Sequence, residues 1–121
     1  WTAEPEAHDD WAQSLAAGEL RSNLPGTRSI CDAILTPMPG QITFALGKRL
    51  LSGGLVVSDD EVREAMRLAF RYLKVVAEPG GAAALAAAVQ GLPSEMHGQR
   101  VGVLITGGNV DADMFSTVLR G

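Results

Sequence analysis

The stretch Val101–Asn109, VGVLITGGN, continued by Val110 and Asp111, constrains the fold more than any other part of the chain. Its five mostly apolar residues, with β-branched members, predict a buried strand of the kind found in parallel sheets. Thr106 places a hydroxyl at the carboxyl end of that strand. Gly107 and Gly108 then allow a tight turn or the close approach of backbone to a ligand. Asp111 is suited to cap the helix that follows. In open α/β sheets ligands bind beyond the carboxyl ends of the strands, which puts Thr106 in a position for chemistry. A strand, a glycine pair and a helix also make an ordinary βα connection, and on this segment alone both readings stay open.

A second segment of this character runs Glu4-Pro5-Glu6-Ala7-His8-Asp9-Asp10, after the short extended piece Thr2–Ala3. Glu4 and Asp10 are carboxylates separated by a short loop, and the backbone carbonyl of His8 lies between them. Carboxylates and free carbonyls suit a hard cation such as Mg²⁺ or Ca²⁺. The alternative is that Asp9 or Asp10 simply caps the helix beginning near Trp11. A third segment, Val75–Gly81 (VVAEPGG), sets Glu78 at the end of an apolar run and before the Ala-rich helix expected over 82–89. Glu78 there can serve a ligand or only the positive end of the helix.

Taken together and in this order, these stretches resemble the C-terminal part of the threonine/serine dehydratase and serine racemase family, a branch of the fold-type-II pyridoxal-phosphate enzymes. The matching pieces are Ala3-Glu4-Pro5 with Asp9-Asp10, Ser29-Ile30-Cys31-Asp32, Val56–Glu64 (VVSDDEVRE), Glu78-Pro79-Gly80-Gly81-Ala82 and Thr106–Asp111 (TGGNVD). The resemblance implies a role for each. Thr106 stands where the family has a hydroxyl or thiol that hydrogen-bonds the pyridine nitrogen of the cofactor. Gly107 and Gly108 match the turn that lets backbone approach the ring. Glu78 matches a carboxylate near the cofactor pocket. Glu4, the carbonyl of His8 and Asp10 match the family's divalent-cation loop. The cofactor so implied is pyridoxal phosphate, with Mg²⁺ or Ca²⁺ as a possible second ligand of the fold.

The family's cofactor lysine belongs to a Ser-x-Lys-x-Arg motif near its N-terminus. Lys48 and Lys74 stand in other surroundings, Leu46-Gly47-Lys48-Arg49 and Leu73-Lys74-Val75. The glycine pairs at 53–54, 80–81 and 107–108 are each shorter than the family's phosphate loop. No catalytic residue is therefore assigned among the 121 positions. The expected domain is 1–121 as the C-terminal portion of a catalytic large domain, with the lysine-bearing part upstream.

With 46% hydrophobic residues in 121, the chain has material for one core and no more than one domain. A formal charge of −4 gives no electrostatic case for nucleic acid or an anionic membrane. The single cysteine, Cys31, cannot form an internal disulfide, which fits a reducing compartment and an expected cytoplasmic location. It lies in an apolar run and reads as a buried, inert thiol. No apolar stretch reaches membrane-spanning length.

Punctuation by Gly and Pro divides the chain further. Helices are expected over about 10–17, stopped by Gly18, over 41–51, ended by Gly53-Gly54, over 59–73, over 82–89 and over 113–119. Extended pieces are expected near 30–35, 55–57 and 101–105. Ser58-Asp59-Asp60-Glu61 is a capping box. Val62, Ala65, Met66, Ala69, Phe70 and Leu73 form an apolar stripe facing the core, and Arg63, Glu64, Arg67 and Arg71 a solvated face. The segment 91–99 reads as a loop with His97 on the surface.

Strands alternating with helices predict an α/β fold, a partial parallel sheet flanked by helices. So few strands leave an apolar sheet edge, which predicts association with another copy through that edge. Two functions stay open. One is part of a pyridoxal-phosphate-dependent lyase that removes water from a hydroxy amino acid, threonine or serine, the released enamine being hydrolysed to a 2-oxo acid and ammonia. The other is a binding or interaction module that keeps the fold without the chemistry.

Overall fold

The computed structural model describes all residues, Trp1–Gly121. Two strands form its sheet: β1 (Thr2–Pro5) pairs in parallel with β2 (Gly54–Val57), in the register Thr2↔Gly54 to Pro5↔Val57. Parallel neighbours need a long crossover, and here it carries α1 (Asp10–Ala17) and α2 (Gln41–Leu50). Gly18, at φ 71°, ends α1 in the left-handed conformation.

After β2 the chain enters α3 (Asp59–Leu68) through the expected capping box: Glu61 N donates to Ser58 Oγ (3.3 Å) and Ser58 N donates to Glu61 Oε2 (2.7 Å). The helix does not run as α to residue 73. Ala69–Leu73 widens into a π-helical turn that stops at Lys74 in the left-handed region. Phe70 and Leu73 are consequently 42% and 55% exposed rather than core. Phe70 packs edge-on against Phe115, with ring centroids 5.6 Å apart. The expected solvated face is also revised at Arg67, whose guanidinium donates to Glu64 and to the carbonyl of Val118, tying α3 to the last helix.

Helix α4 (Pro79–Gln90) begins three residues before the expected start at Ala82, with Pro79 in the first turn and Gly80 and Gly81 inside the helix. Helix α5 (Ala112–Arg120) starts at Asp111, whose Oδ1 accepts from Asp113 N and Met114 N, both at 3.0 Å. The buried cluster lies between α3 and α4 and reaches Cys31, Val57, Ala77 and Val118. Seven of its twelve residues are alanine, so the two helices approach closely over small side chains around Met66 and Val62.

Two extended segments were expected that the structure does not form. Residues 32–34 make a short 3₁₀ turn (Asp32–Ile34), held because Ser29 Oγ and Ile30 N donate to the carboxylate of Asp59 at the start of α3. Residues 101–105 make no ladder, and Val101 and Leu104 are 42% and 73% exposed, so this is not a buried parallel strand. Apolar, β-branched residues favour a strand only where a neighbour offers backbone groups, and neither β1 nor β2 bonds to this segment. Residues 91–99 contain a further 3₁₀ turn, Ser94–Met96, and His97 is exposed as expected. No helix is long and apolar enough to cross a membrane.

Candidate functional site

A cavity of about 400 Å³ opens between β1, α4 and the 101–106 segment. Thr2, Glu4, Trp11, Thr36, Gly80 and Thr106 are among its walls. Thr106 and Glu4, which come from the two ends of the sequence, thus face one volume. Its size falls within the range of small-molecule pockets, about 300–1,000 Å³.

Glu78, Gly107 and Gly108 lie outside the cavity's lining, in the turn behind Thr106, and that turn is shaped by backbone. Glu78 N donates to Gly107 O at 3.0 Å, and Asn109 N donates to Glu78 Oε2 at 3.1 Å. Glu78 occupies the N-cap position of α4 yet makes no capping bond there, so its carboxylate clasps the glycine turn instead of the helix end. The two loops are too close for side chains. A Cβ on Gly81 would stand 2.6 Å from Gly107 O, one on Gly107 2.4 Å from Glu78 Oε1, and one on Gly108 2.5 Å from Val76 O. The glycines that read as loop punctuation in the sequence are therefore packing positions.

The Glu4 side is built from side chains. Burial of Glu4 at the end of β1 lets both its oxygens reach the start of α1, where Trp11 N and Ala12 N donate to them at 3.0 and 2.9 Å. Glu4, rather than Asp9 or Asp10, is the carboxylate that receives the free amides of α1. Removal from water pushes its carboxyl up to about 7; the two amide bonds oppose that rise, and Asp10 and Asp9 add to it. Asp10 is 1% exposed. Its Oδ1 accepts from Asn23 Nδ2 at 2.7 Å, while Oδ2 has no partner. His8 is buried, its Nε2 lying 3.5 Å from the hydroxyl of Thr27 and its Nδ1 without a partner.

A buried carboxylate oxygen with no donor is the atom a hard cation would satisfy, and Asp10 Oδ2 is such an atom. No group of three or more His, Cys, Asp and Glu side chains is gathered for a metal ion anywhere in the chain. A cation here would therefore draw on the two carboxylates and backbone carbonyl oxygen, the hard-ligand chemistry of Mg²⁺ and Ca²⁺. Asn23 and Thr36, which sequence reasoning passed over, belong to this side of the site. Neither lies in a helix or strand, and no periodicity marks them. Cys31 is fully buried, and burial pushes its thiol up to about 11, as an inert core residue.

The sequence profile of the family described as pyridoxal-phosphate dependent enzymes matches residues 1–107. The chain is 36% identical over 122 aligned residues to a serine racemase of Dictyostelium discoideum, covering 99% of this chain and 37% of that protein. It is 42% identical over 113 residues to a phenylserine dehydratase of Ralstonia pickettii, covering 93% and 34%. The structure of maize serine racemase superposes with a TM-score of 0.83 at 35% identity, over 98% of this chain and 38% of that one. This chain belongs to the pyridoxal-phosphate dependent enzyme family, with the α/β architecture of its fold-type-II members. It spans a little over a third of the length of the curated relatives it matches.

Proposed function

We propose that these residues serve a lyase that eliminates water from a β-hydroxy amino acid such as threonine or serine, the released enamine then taking up water and losing ammonia to leave a 2-oxo acid, with Thr106, Gly107, Gly108 and Glu78 as the residues that would hold pyridoxal phosphate. The observation that carries this reading is the single cavity shared by Thr106 and Glu4. Dehydratases and ammonia-lyases of hydroxy amino acids recur among the relatives, including an L-threo-3-hydroxyaspartate ammonia-lyase of a Pseudomonas species at 38% identity.

Bound pyridoxal phosphate supplies an electron sink for charge at the substrate's α-carbon. The hydroxyl of Thr106 would serve the pyridine nitrogen as a neutral hydrogen-bond partner. Unlike a carboxylate, a hydroxyl in that position would not hold a proton on the ring nitrogen. The clasp from Glu78 to Asn109 N, with the glycine contacts behind it, holds Thr106 at a set depth. Glu4 and Asp10, with the carbonyl of His8, would hold a divalent cation whose charge would offset two buried carboxylates beside the cavity. Neither Lys48 nor Lys74 stands in a Ser-x-Lys-x-Arg segment, so no lysine of these residues is assigned to the cofactor. Association with another copy would cover the exposed apolar residues Val56, Val101 and Leu104.

The test uses a protein carrying these residues together with a Ser-x-Lys-x-Arg segment. Threonine, serine, phenylserine and 3-hydroxyaspartate are supplied in turn, and 2-oxo acid and ammonia are measured. Stoichiometric 2-oxo acid from one of them, lost with the cofactor, is the expected result. The chain of 121 residues alone is expected to give none, since it lacks that lysine. Interconversion of enantiomers with no 2-oxo acid would replace elimination by racemisation.

A further inference from the structure

We infer that Asn23 is a positioning residue for the cation loop, selecting which oxygen of Asp10 is offered to the ion and linking that ion to the cofactor cavity. The inference rests on the cation reading above and goes beyond it. Asn23 is itself buried. Its amide nitrogen makes two bonds, to Asp10 Oδ1 at 2.7 Å and to Thr36 O at 2.8 Å. Its backbone N–H donates to Pro37 O at 2.8 Å, so the residue is fixed at both ends to the segment that precedes α2.

The consequence is selective. A carboxylate left to itself offers two equivalent oxygens. Here Oδ1 is occupied by Asn23, and Oδ2, equally buried, has no partner. The amide oxygen of Asn23, Oδ1, also lacks a donor. Two unpaired acceptors in one buried cluster are costly without a positive group or a donating water among them. A hydrated divalent cation supplies both in chemical kind. Asn23 thus does for Asp10 what outer partners do at metal sites generally: it sets orientation and leaves one oxygen free. Thr36 carries the effect onward, because it accepts from Asn23 and lines the cavity that Thr106 also lines.

The experiment is a Tb³⁺ titration of the full chain, read by luminescence sensitised through Trp11, whose backbone N–H donates to Glu4, with Ca²⁺ and Mg²⁺ as competitors. Asp10→Asn is expected to abolish binding. Asn23→Leu keeps the branched outline and removes the donor, and should weaken Tb³⁺ by about 10- to 100-fold, the usual size of such second-layer effects. Asn23→Gln keeps an amide but displaces it, and should weaken binding several-fold; it carries the test if the leucine variant does not fold. Melting in chelator is recorded for each variant, since a merely structural asparagine would lower the melting temperature and leave the affinity of the folded fraction intact. If both Asn23 variants bind Tb³⁺ as the unsubstituted chain does while Asp10→Asn does not bind, the positioning role is overturned and the cation site stands. If Asp10→Asn binds unchanged, the cation site itself is wrong and the role of Asn23 falls with it.

Discussion

The two sides of the cavity are made by different physics. On the Glu4 side, side chains carry the geometry: a buried carboxylate on two helix amides, a second one on an asparagine, and orphaned oxygens that call for a positive partner. On the Thr106 side, the geometry is carried by the absence of side chains, with Gly81, Gly107 and Gly108 at approaches no Cβ could occupy. The first kind of site is sensitive to charge and protonation. The second is sensitive to volume. A ligand held between them would be fixed by rigid backbone at one end and tuned electrostatically at the other.

Volume should give the largest effect. In Gly81→Ala the new methyl meets the carbonyl of Gly107, which is backbone and cannot swing away. Overpacking of this kind costs about 1–3 kcal/mol, and the upper end is expected here. The melting temperature should fall by roughly 10 °C, at the several degrees per kcal/mol usual for small domains. A fall of under 2 °C would show that the loop around Gly107 gives way easily. Gly107→Ala meets a side chain instead, that of Glu78, so the double variant with Glu78→Ala should recover part of the loss.

Charge should come next. Glu4→Ala leaves Trp11 N and Ala12 N without acceptors and should destabilise the chain by about 1–2 kcal/mol, as loss of an N-terminal helix cap does. Denaturant unfolding in chelator measures it. An unchanged midpoint would place the capping function elsewhere and dissolve the contrast between the two sides.

Thr106→Val should do little to stability, because Thr106 is exposed. In the loaded protein it removes a neutral hydrogen bond worth on the order of 1 kcal/mol. Affinity for pyridoxal phosphate should drop roughly fivefold with a changed visible spectrum, and Thr106→Ser should restore both. Equal affinity in the valine variant would make the glycine turn purely structural.

The smallest effect concerns Cys31, which belongs to neither side. Its folded-state thiol is raised to about 11 against an ordinary 9, so the native state holds its proton more tightly than the unfolded chain does. Stability contributed by this group is present below pH 9 and declines as the pH rises through 11. At pH 8 a thiol reagent should label the unfolded chain readily and the native chain only as fast as it opens. Rapid labelling of the native chain would contradict the burial of Cys31.

What could be read from residues alone is what depends on neighbours in sequence. The capping box at Ser58 and Glu61, the cap at Asp111, the stop at Gly18 and the stripe through Val62, Ala65 and Met66 are local, since each is decided within a turn or two of helix. The family was legible because five short segments stand in a fixed order. What failed were judgements that needed a partner far along the chain. Residues 101–105 have the composition of a strand, but a strand exists only where another offers a ladder. Phe70 and Leu73 continue the helical period, but a π turn rotates them outward. Asp9 and Asp10 looked like caps because they are adjacent to α1, while the carboxylate that meets its amides, Glu4, arrives from the end of β1. The pairing of Asp10 with Asn23, 13 residues on, and of Glu78 with Asn109, 31 on, leaves no mark on periodicity. Local steric and capping energies act over a turn of chain and write themselves into sequence. Desolvation and close approach act between segments, and they exist only once the fold has brought those segments together.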